Sequence, residues 1–144
     1  MGEIVYRALE NDIEATLAAE LEKECLSTAW SKEQISNLPD YAVYVAAFDG
    51  EVLCGIASMY MIAFEGQVMN VAVSKNHRRK GIANGLMSSL FEHAIKNKCE
   101  NITLEVAEDN ISAISLYEKC GFVCVGKRKG FYNGTDALIM EKKI

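Results

Sequence analysis

Two side chains in the second half of the sequence have the chemistry to move a proton. Glu105 is the one carboxylate in the apolar run 102–107, and Tyr117 follows in the next predicted element. A carboxylate can accept a proton from an ammonium group, and a phenol can donate one. If 102–107 is a strand, Glu105 lies opposite Leu104 and Val106, either as a solvent-facing residue or as a general base. Taken alone, Tyr117 is typical of a core or rim aromatic.

A second group of residues could bind an anion. A basic loop, residues 75–80, separates a strand that ends at Val73 from a helix that opens at Gly81. The first turn of a helix presents unpaired backbone N–H groups and a partial positive charge, which together suit a phosphate group. Gly81 permits a tight turn, and the small side chain of Ala83 lets phosphate oxygens approach the backbone. A solvated charged turn is the alternative interpretation.

The composition and net charge limit the kinds of partner that the protein is expected to bind. The chain of 144 residues carries a net charge of −5, so a compact basic loop suits a small anion better than a nucleic acid, which needs a broad basic face. The loop matches neither the P-loop pattern nor the GxGxxG dinucleotide pattern. Five cysteines without a CxxC pair and two histidines do not support a metal site. Short apolar runs and no secretory signal predict a cytoplasmic protein with no membrane contact.

The elements that position these residues follow from periodicity and turn signals. Capping signals begin helices at Asn11 and Ser31, and Asp49-Gly50 predicts a hairpin. Two further helices are predicted at 83–96 and 110–119. The predicted strands are 3–8, 41–48, 51–60, 67–73, 102–107, 122–126 and 137–141. This order predicts one α/β domain over residues 1–144, with a central mixed sheet of six to seven strands flanked by about four helices.

Several segments together resemble one known family. The pattern Arg78-x-x-Gly81-x-Ala83 between a strand and a helix resembles the acetyl-CoA signature of the GNAT superfamily of N-acetyltransferases. Within that superfamily, nearly the whole chain is similar to the bacterial ribosomal-protein-alanine acetyltransferases. The other segments that carry the resemblance are Ala29-Trp30-Ser31, Asn70-Val71-Ala72-Val73, Leu104-Glu105-Val106 and Asn110-x-x-Ala113-Ile114-x-Leu116-Tyr117-Glu118-x-x-Gly121-Phe122.

The resemblance implies a role for each matching position. Glu105 would be the general base, and Tyr117 would be the general acid beside the sulfur of acetyl-CoA. Asn110 would contact the coenzyme, although the residues alone equally favour a helix N-cap. Trp30 and Tyr132 would border the acceptor, although Trp30 taken alone is more typical of a core side chain. Phe131 and Tyr132 lie in a predicted hairpin loop, where Phe131 departs from the family's tyrosine. The implied coenzyme contacts are the backbone of Val71, Ala72 and Val73 for the acetyl and pantetheine arm, and Arg78, Arg79, Lys80, Gly81, Ile82, Ala83 and Asn84 for the diphosphate.

The implied function is direct acetyl transfer to the N-terminal α-amine of a protein, with the N-terminal alanine of a small-subunit ribosomal protein as the expected target. An α-amine has a pKa of roughly 7.7–8.0, so about a tenth is neutral at pH 7, against fewer than about one lysine amine in a thousand. A carboxylate base therefore suits an α-amine better than a lysine. Two alternatives remain open: transfer to a small amine or a lysine, and a non-catalytic acyl-CoA-binding module that regulates a partner.

Overall fold

The observed elements follow the predicted order, with one turn of 3-10 helix added at Lys75–His77. The computed structural model describes residues 3–132 and 134–144. The strands are β1 (Ile4–Arg7), β2 (Ala42–Asp49), β3 (Val52–Ile62), β4 (Glu65–Val73), β5 (Asn101–Ala107), β6 (Val123–Tyr132) and β7 (Thr135–Lys143). The helices are α1 (Asp12–Cys25), α2 (Lys32–Ser36), α3 (Ile82–Lys96) and α4 (Ile111–Lys119).

The first two helices begin where the capping signals predict. Ser31 and Gln34 form a complete capping box at α2. At α1 the Asn11 side chain accepts the Glu14 N–H at 2.9 Å, but the Glu14 carboxylate does not return to Asn11. It accepts two hydrogen bonds from Arg7 instead, both at 2.9 Å, which tie α1 to β1. Asn11 is therefore an N-cap without the reciprocal half of the box.

The strands form one mixed sheet in the order β1-β2-β3-β4-β5-β7-β6. Every neighbouring pair is antiparallel except β4 and β5. Their parallel ladder ends at the pair Gln67 and Thr103, so the two strands separate toward their carboxyl ends. On its other side β4 contains a bulge, because Met59 pairs with Val68 whereas Ala57 pairs with Val71. The predicted α/β architecture, a mixed sheet with four helices, is confirmed.

Two cores lie on opposite faces of the sheet. Leu86, Met87 and Leu90 of α3 pack against one face, where Leu104 and Val106 of β5 are buried. Small residues of α1, Ala15 and Ala18, pack against the other face with Tyr44 and Phe48 of β2. None of the helices in the described part of the chain is long and apolar enough to cross a membrane.

Ile13, Leu17, Leu21 and Cys25 follow at four-residue spacing and predict helix α1, but the row coincides only in part with the buried face of the helix. Ile13 and Leu17 are 73% and 38% exposed, whereas Leu21 of the same row is buried together with Ala15 and Ala18. A helix turns once in 3.6 residues, so a row of every fourth residue winds about 40° further round at each step. The row predicts the helix correctly but not the side that meets the sheet.

The last two strands are longer than their apolar runs predict. Phe131 and Tyr132 lie at the end of β6, not in the predicted hairpin loop, and the strand includes the charged segment 127–129. Strand β6 is at the edge of the sheet, where such side chains can face solvent. Apolar alternation alone therefore predicted both strands to be shorter than they are.

Candidate active site

The first turn of α3 is open to an anion. Gly81 is its N-cap residue, in the left-handed conformation with φ +78° and ψ 8°. A Cβ at this position would have nothing within 4 Å, so glycine is needed for the backbone angle and not for space. Among the described residues, no side chain caps this turn. The N–H groups of Ile82, Ala83 and Asn84 are thus oriented for a bound anion.

In the basic loop before Gly81, Arg78 is held by a hydrogen bond to β4, whereas Arg79 and Lys80 are exposed. The Arg78 side chain donates through Nε to the Val73 carbonyl at 3.2 Å, which holds the loop against the end of β4. Arg79 has φ +63°, a strained value for a residue with a side chain, and such strain is concentrated at functional sites. Arg79 and Lys80 are exposed, and neither forms an ion pair within the described residues. Their charges are therefore available to an anion.

A cleft of about 840 Å³ joins the end of β4, the first turn of α3 and one face of α4. None of the described residues that line it is acidic. The sequence-predicted residues in the lining are Val71, Ala72, Val73, Arg78, Arg79, Gly81, Ile82, Ala83, Asn84, Asn110 and Tyr117. Lys80 lies outside the lining. The residues that sequence reasoning missed are Cys25, Leu26, His77, Ser112, Ala113, Ser115, Leu116 and Lys119, several of which face the cleft because they share a helix face with Asn110 or Tyr117.

Asn110 and Tyr117 occupy the same side of α4. The Asn110 Oδ1 accepts the Ala113 N–H at 3.3 Å, so this residue is the helix N-cap and also lines the cleft. Tyr117 is 9% exposed and meets the ring of Phe122 edge-on, with 5.9 Å between centroids. The core therefore fixes the phenol ring at the cleft wall.

Glu105 lies on the opposite face of β5 from the buried Leu104 and Val106, as the strand alternation predicts. Its side chain is 18% exposed, and its Oε1 pairs with the Arg128 Nη2 at 2.8 Å. The Arg128 guanidinium also lies over the Phe131 ring, 5.0 Å from the centroid. Glu105 is not part of the cleft lining, and it lies on the face of β5 opposite the core that holds Tyr117. Sequence reasoning missed the contact with Arg128, which joins residues of distant strands.

Of the two residues predicted to border the acceptor, Trp30 lies outside the cleft lining. Trp30 is half-buried and stacks on Tyr60, with 5.8 Å between ring centroids and 20° between planes. It also lines a smaller hollow of about 380 Å³ between α1 and α2. Tyr132 belongs to β6, but its side chain lies outside the described part of the structure.

Comparison with known proteins gives one family. Residues 8–122 match the acetyltransferase (GNAT) family. An N-alpha-acetyltransferase of Saccharolobus solfataricus is 33% identical over 126 residues, 76% of this chain and 75% of that protein. A putative ribosomal protein bS18-alanine N-acetyltransferase of Bacillus subtilis is 29% identical over 127 residues, 84% of this chain and 83% of that one. The crystal structure of the ribosomal-protein-S18-alanine N-acetyltransferase from Escherichia coli has a TM-score of 0.88 at 25% identity, covering 99% of this chain and 94% of that one.

Proposed function

This chain belongs to the acetyltransferase (GNAT) family, and we propose that it transfers the acetyl group of acetyl-CoA directly to the N-terminal α-amine of a protein. The first turn of α3, which no described side chain caps, carries the proposal, together with a cleft that has no acidic residue among its described lining. The names of the two curated relatives favour an α-amine as the acceptor. In its finer form the proposal names the N-terminal alanine of a small-subunit ribosomal protein, acetylated in the cytoplasm.

The chain's own groups fit acetyl-CoA at both ends. A diphosphate suits the first-turn N–H groups of α3 together with the charges of Arg79 and Lys80. Beyond the end of the ladder with β5, the backbone of 71–73 can pair with the amides of the pantetheine arm, much as a strand edge pairs with a peptide. When bound, acetyl-CoA supplies an activated thioester.

We assign the roles of general base and of hydrogen-bond donor to the leaving sulfur to Glu105 and Tyr117. In this proposal Glu105 accepts the proton of the incoming ammonium, directly or through water, and the ammonium exchanges with Arg128 as the cation beside the carboxylate. Tyr117 directs its hydroxyl to the leaving sulfur. A phenol has a pKa near ~10 and a thiol near ~8.5, so a strong hydrogen bond to the thiolate describes this step better than full proton transfer.

Direct transfer needs no cysteine nucleophile. Burial raises the pKa of the thiols of Cys99 and Cys120, which lowers the fraction of reactive thiolate, and Cys124 lies on the exposed edge strand. Cys25 lines the cleft and is the remaining candidate nearby. A variant with Cys25→Ala and Cys120→Ala is expected to keep its kcat within about threefold of the unmodified protein. Loss of turnover in this variant, with acetyl-CoA binding retained, would favour an acyl-enzyme.

The choice of acceptor is tested with three substrates at equal concentration. One is a peptide with a free N-terminal alanine, the second is the same peptide blocked at its α-amine but carrying a lysine, and the third is a free polyamine. Mass spectrometry locates the added acetyl group. We expect the free alanine peptide to exceed the other two by at least about tenfold in kcat/KM, a margin of about 1.4 kcal/mol.

The other outcomes select the alternatives. Equal or faster acetylation of the blocked peptide or the polyamine would replace the α-amine by a lysine or a small amine. Acetyl-CoA binding without turnover on any acceptor would favour the regulatory module. Chain-end mapping in cells with and without the protein then tests the ribosomal target.

A further inference from the structure

One carboxylate in the interior has no part in the proposed chemistry. Glu22, near the end of α1, is 0% exposed and forms no ion pair within the described residues. Three donors reach it: the Tyr44 hydroxyl at 2.5 Å, the Asn70 side-chain amide at 2.7 Å and the Trp30 backbone N–H at 2.9 Å. Burying a carboxylate is costly, and these hydrogen bonds offset the cost.

The three donors come from three different parts of the fold. Trp30 belongs to the α1–α2 loop, residues 26–31, and Asn70 belongs to the bulge of β4. Tyr44 belongs to β2, beneath α1, where burial and the charge of Glu22 raise the pKa of its phenol and so keep it a donor. Asn70 is held further by its N–H to the Ser58 hydroxyl at 3.2 Å and by contacts of its amide with Thr28 at 3.4 Å.

Two of these three connections end in segments that the proposed function assigns to the substrates. Asn70 immediately precedes Val71, where the proposed coenzyme edge of β4 begins. Trp30 is the proposed acceptor contact in the loop. The main chain of Glu22 contributes as well, because its carbonyl accepts the N–H of Leu26, a residue in the cleft lining, at 2.7 Å. The hydroxyl of Tyr44 connects Glu22 instead to the core under α1; the Tyr44 ring also lies beside Trp30, with 6.4 Å between centroids, a contact that phenylalanine would keep.

We propose that Glu22 is a positioning residue for acetyl transfer, which fixes the α1–α2 loop at Trp30 relative to the coenzyme edge of β4 that follows Asn70. The inference rests on the proposed function, since it assigns the loop to the acceptor and the edge to acetyl-CoA. Glu22 touches neither substrate and acts only through these two partners. A small displacement of either wall would misalign amine and thioester, and misplacement of about 1 Å can cost roughly a hundredfold in rate.

Two matched variants separate positioning from simple stability. Asn70→Ala removes the donor on the site side of Glu22, whereas Tyr44→Phe removes the donor on the core side and keeps the ring. Both are compared at a temperature where circular dichroism shows them folded. Asn70→Ala is expected to lower kcat/KM at least about tenfold and to raise KM for both substrates, whereas Tyr44→Phe stays within about twofold.

The conservative variant at Glu22 itself checks the geometry. In Glu22→Gln the amide oxygen can still accept from Trp30 and Asn70, and the amide N–H can donate to the Tyr44 oxygen. We expect Glu22→Gln to stay within about threefold of the unmodified kcat/KM and Glu22→Ala to lose at least about tenfold. If Glu22→Ala does not fold, the comparison of Asn70→Ala with Tyr44→Phe still tests the positioning role.

Hydrogen exchange, a measurement that does not depend on turnover, distinguishes failure of this inference from failure of the proposed function. Backbone amides in 27–31 and 71–73 should exchange hydrogen faster in Asn70→Ala than in Tyr44→Phe. Equal exchange and equal kcat/KM in the two variants, or an inactive but folded Glu22→Gln, would overturn the positioning role. If the unmodified protein acetylates no α-amine, the proposed function fails, and amide exchange with acetyl-CoA titration of both variants still decides the role of Glu22.

Discussion

The two halves of the proposed site are built in different ways. The coenzyme half, residues 71–84 with α4, is formed largely by one continuous segment: a strand end, a basic loop and an uncapped helix turn. The acceptor half, which comprises the α1–α2 loop, Glu105 and the β6–β7 hairpin, is assembled from distant segments. Arg128 reaches Glu105 from another strand, and Glu22 links the loop to β4. Local backbone geometry thus forms the proposed anion site, whereas long-range contacts form the proposed acceptor side.

The largest effect expected concerns the carboxylate of the acceptor half. Glu105→Gln should lower kcat/KM by about 10²–10⁴-fold because the amide cannot accept the ammonium proton. The dissociation constant for acetyl-CoA should change less than about twofold, since the coenzyme half is intact. Steady-state kinetics and calorimetric titration measure the two separately. Unchanged turnover would show that Glu105 takes no part in the reaction and would contradict the division of the proposed site into two halves.

The coenzyme half is also where sequence reasoning reached furthest. The role of Gly81 and its neighbours could be predicted because a glycine at a strand–helix junction indicates a tight turn, whatever distant residues surround it. The observed φ of +78° agrees with this prediction. Outside that half, strand alternation predicted that Glu105 lies opposite Leu104, and the element order predicted the mixed sheet. These inferences need only near neighbours in the chain.

The acceptor half shows why the rest could not be predicted. The contact of Arg128 with Glu105 depends on β7 pairing between β5 and β6, which no local pattern reveals. Glu22 resembles any surface acid of α1 in the sequence, although its spacing from Ala15 and Ala18 places it on the buried side. The charged end of β6 was missed because an edge strand does not require apolar alternation.

A second prediction compares two glycines with the same backbone requirement. Gly81 and Gly50 have φ of +78° and +62°, and an added Cβ would meet nothing within 4 Å at either. Gly81→Ala and Gly50→Ala should each lower the stability by about 1–2 kcal/mol. Only Gly81→Ala should also weaken acetyl-CoA binding, by roughly tenfold or about 1.4 kcal/mol. Thermal melting and titration test this, and equal affinities in the two variants would contradict an anion site at α3.

A third prediction concerns the cation beside Glu105. Arg128 is an exposed partner, and pairs of this kind contribute about 0.2–1 kcal/mol. Arg128→Met should therefore lower the KM for an alanine peptide by up to about fivefold, because the ammonium no longer displaces a guanidinium. The KM for acetyl-CoA serves as the internal control and should not move. A higher KM for the peptide would show that Arg128 contacts the acceptor itself.

The smallest effect concerns the scaffold of the acceptor half. Hydrogen bonds from Arg7 hold the pKa of Glu14 near about 2, against an ordinary value of 4.5. A lowered pKa stabilises the fold above about pH 4.5, and this contribution is lost as the pH falls toward about 2. Glu14→Gln should therefore flatten the fall of melting temperature between about pH 5 and pH 3. Glu10→Gln, which alters a more exposed partner of Arg7, should leave that slope unchanged, and an equal effect of both variants would contradict this assignment.

The central claim is that the first turn of α3 and its basic loop bind the diphosphate of acetyl-CoA. Calorimetric titration with acetyl-CoA and with S-acetylpantetheine, which lacks the diphosphate and the nucleotide, tests it most directly. We predict 1:1 binding of acetyl-CoA that weakens with added salt, and binding of S-acetylpantetheine that is at least about a hundredfold weaker. Equal affinity for the two compounds, or no binding of acetyl-CoA, would contradict the account.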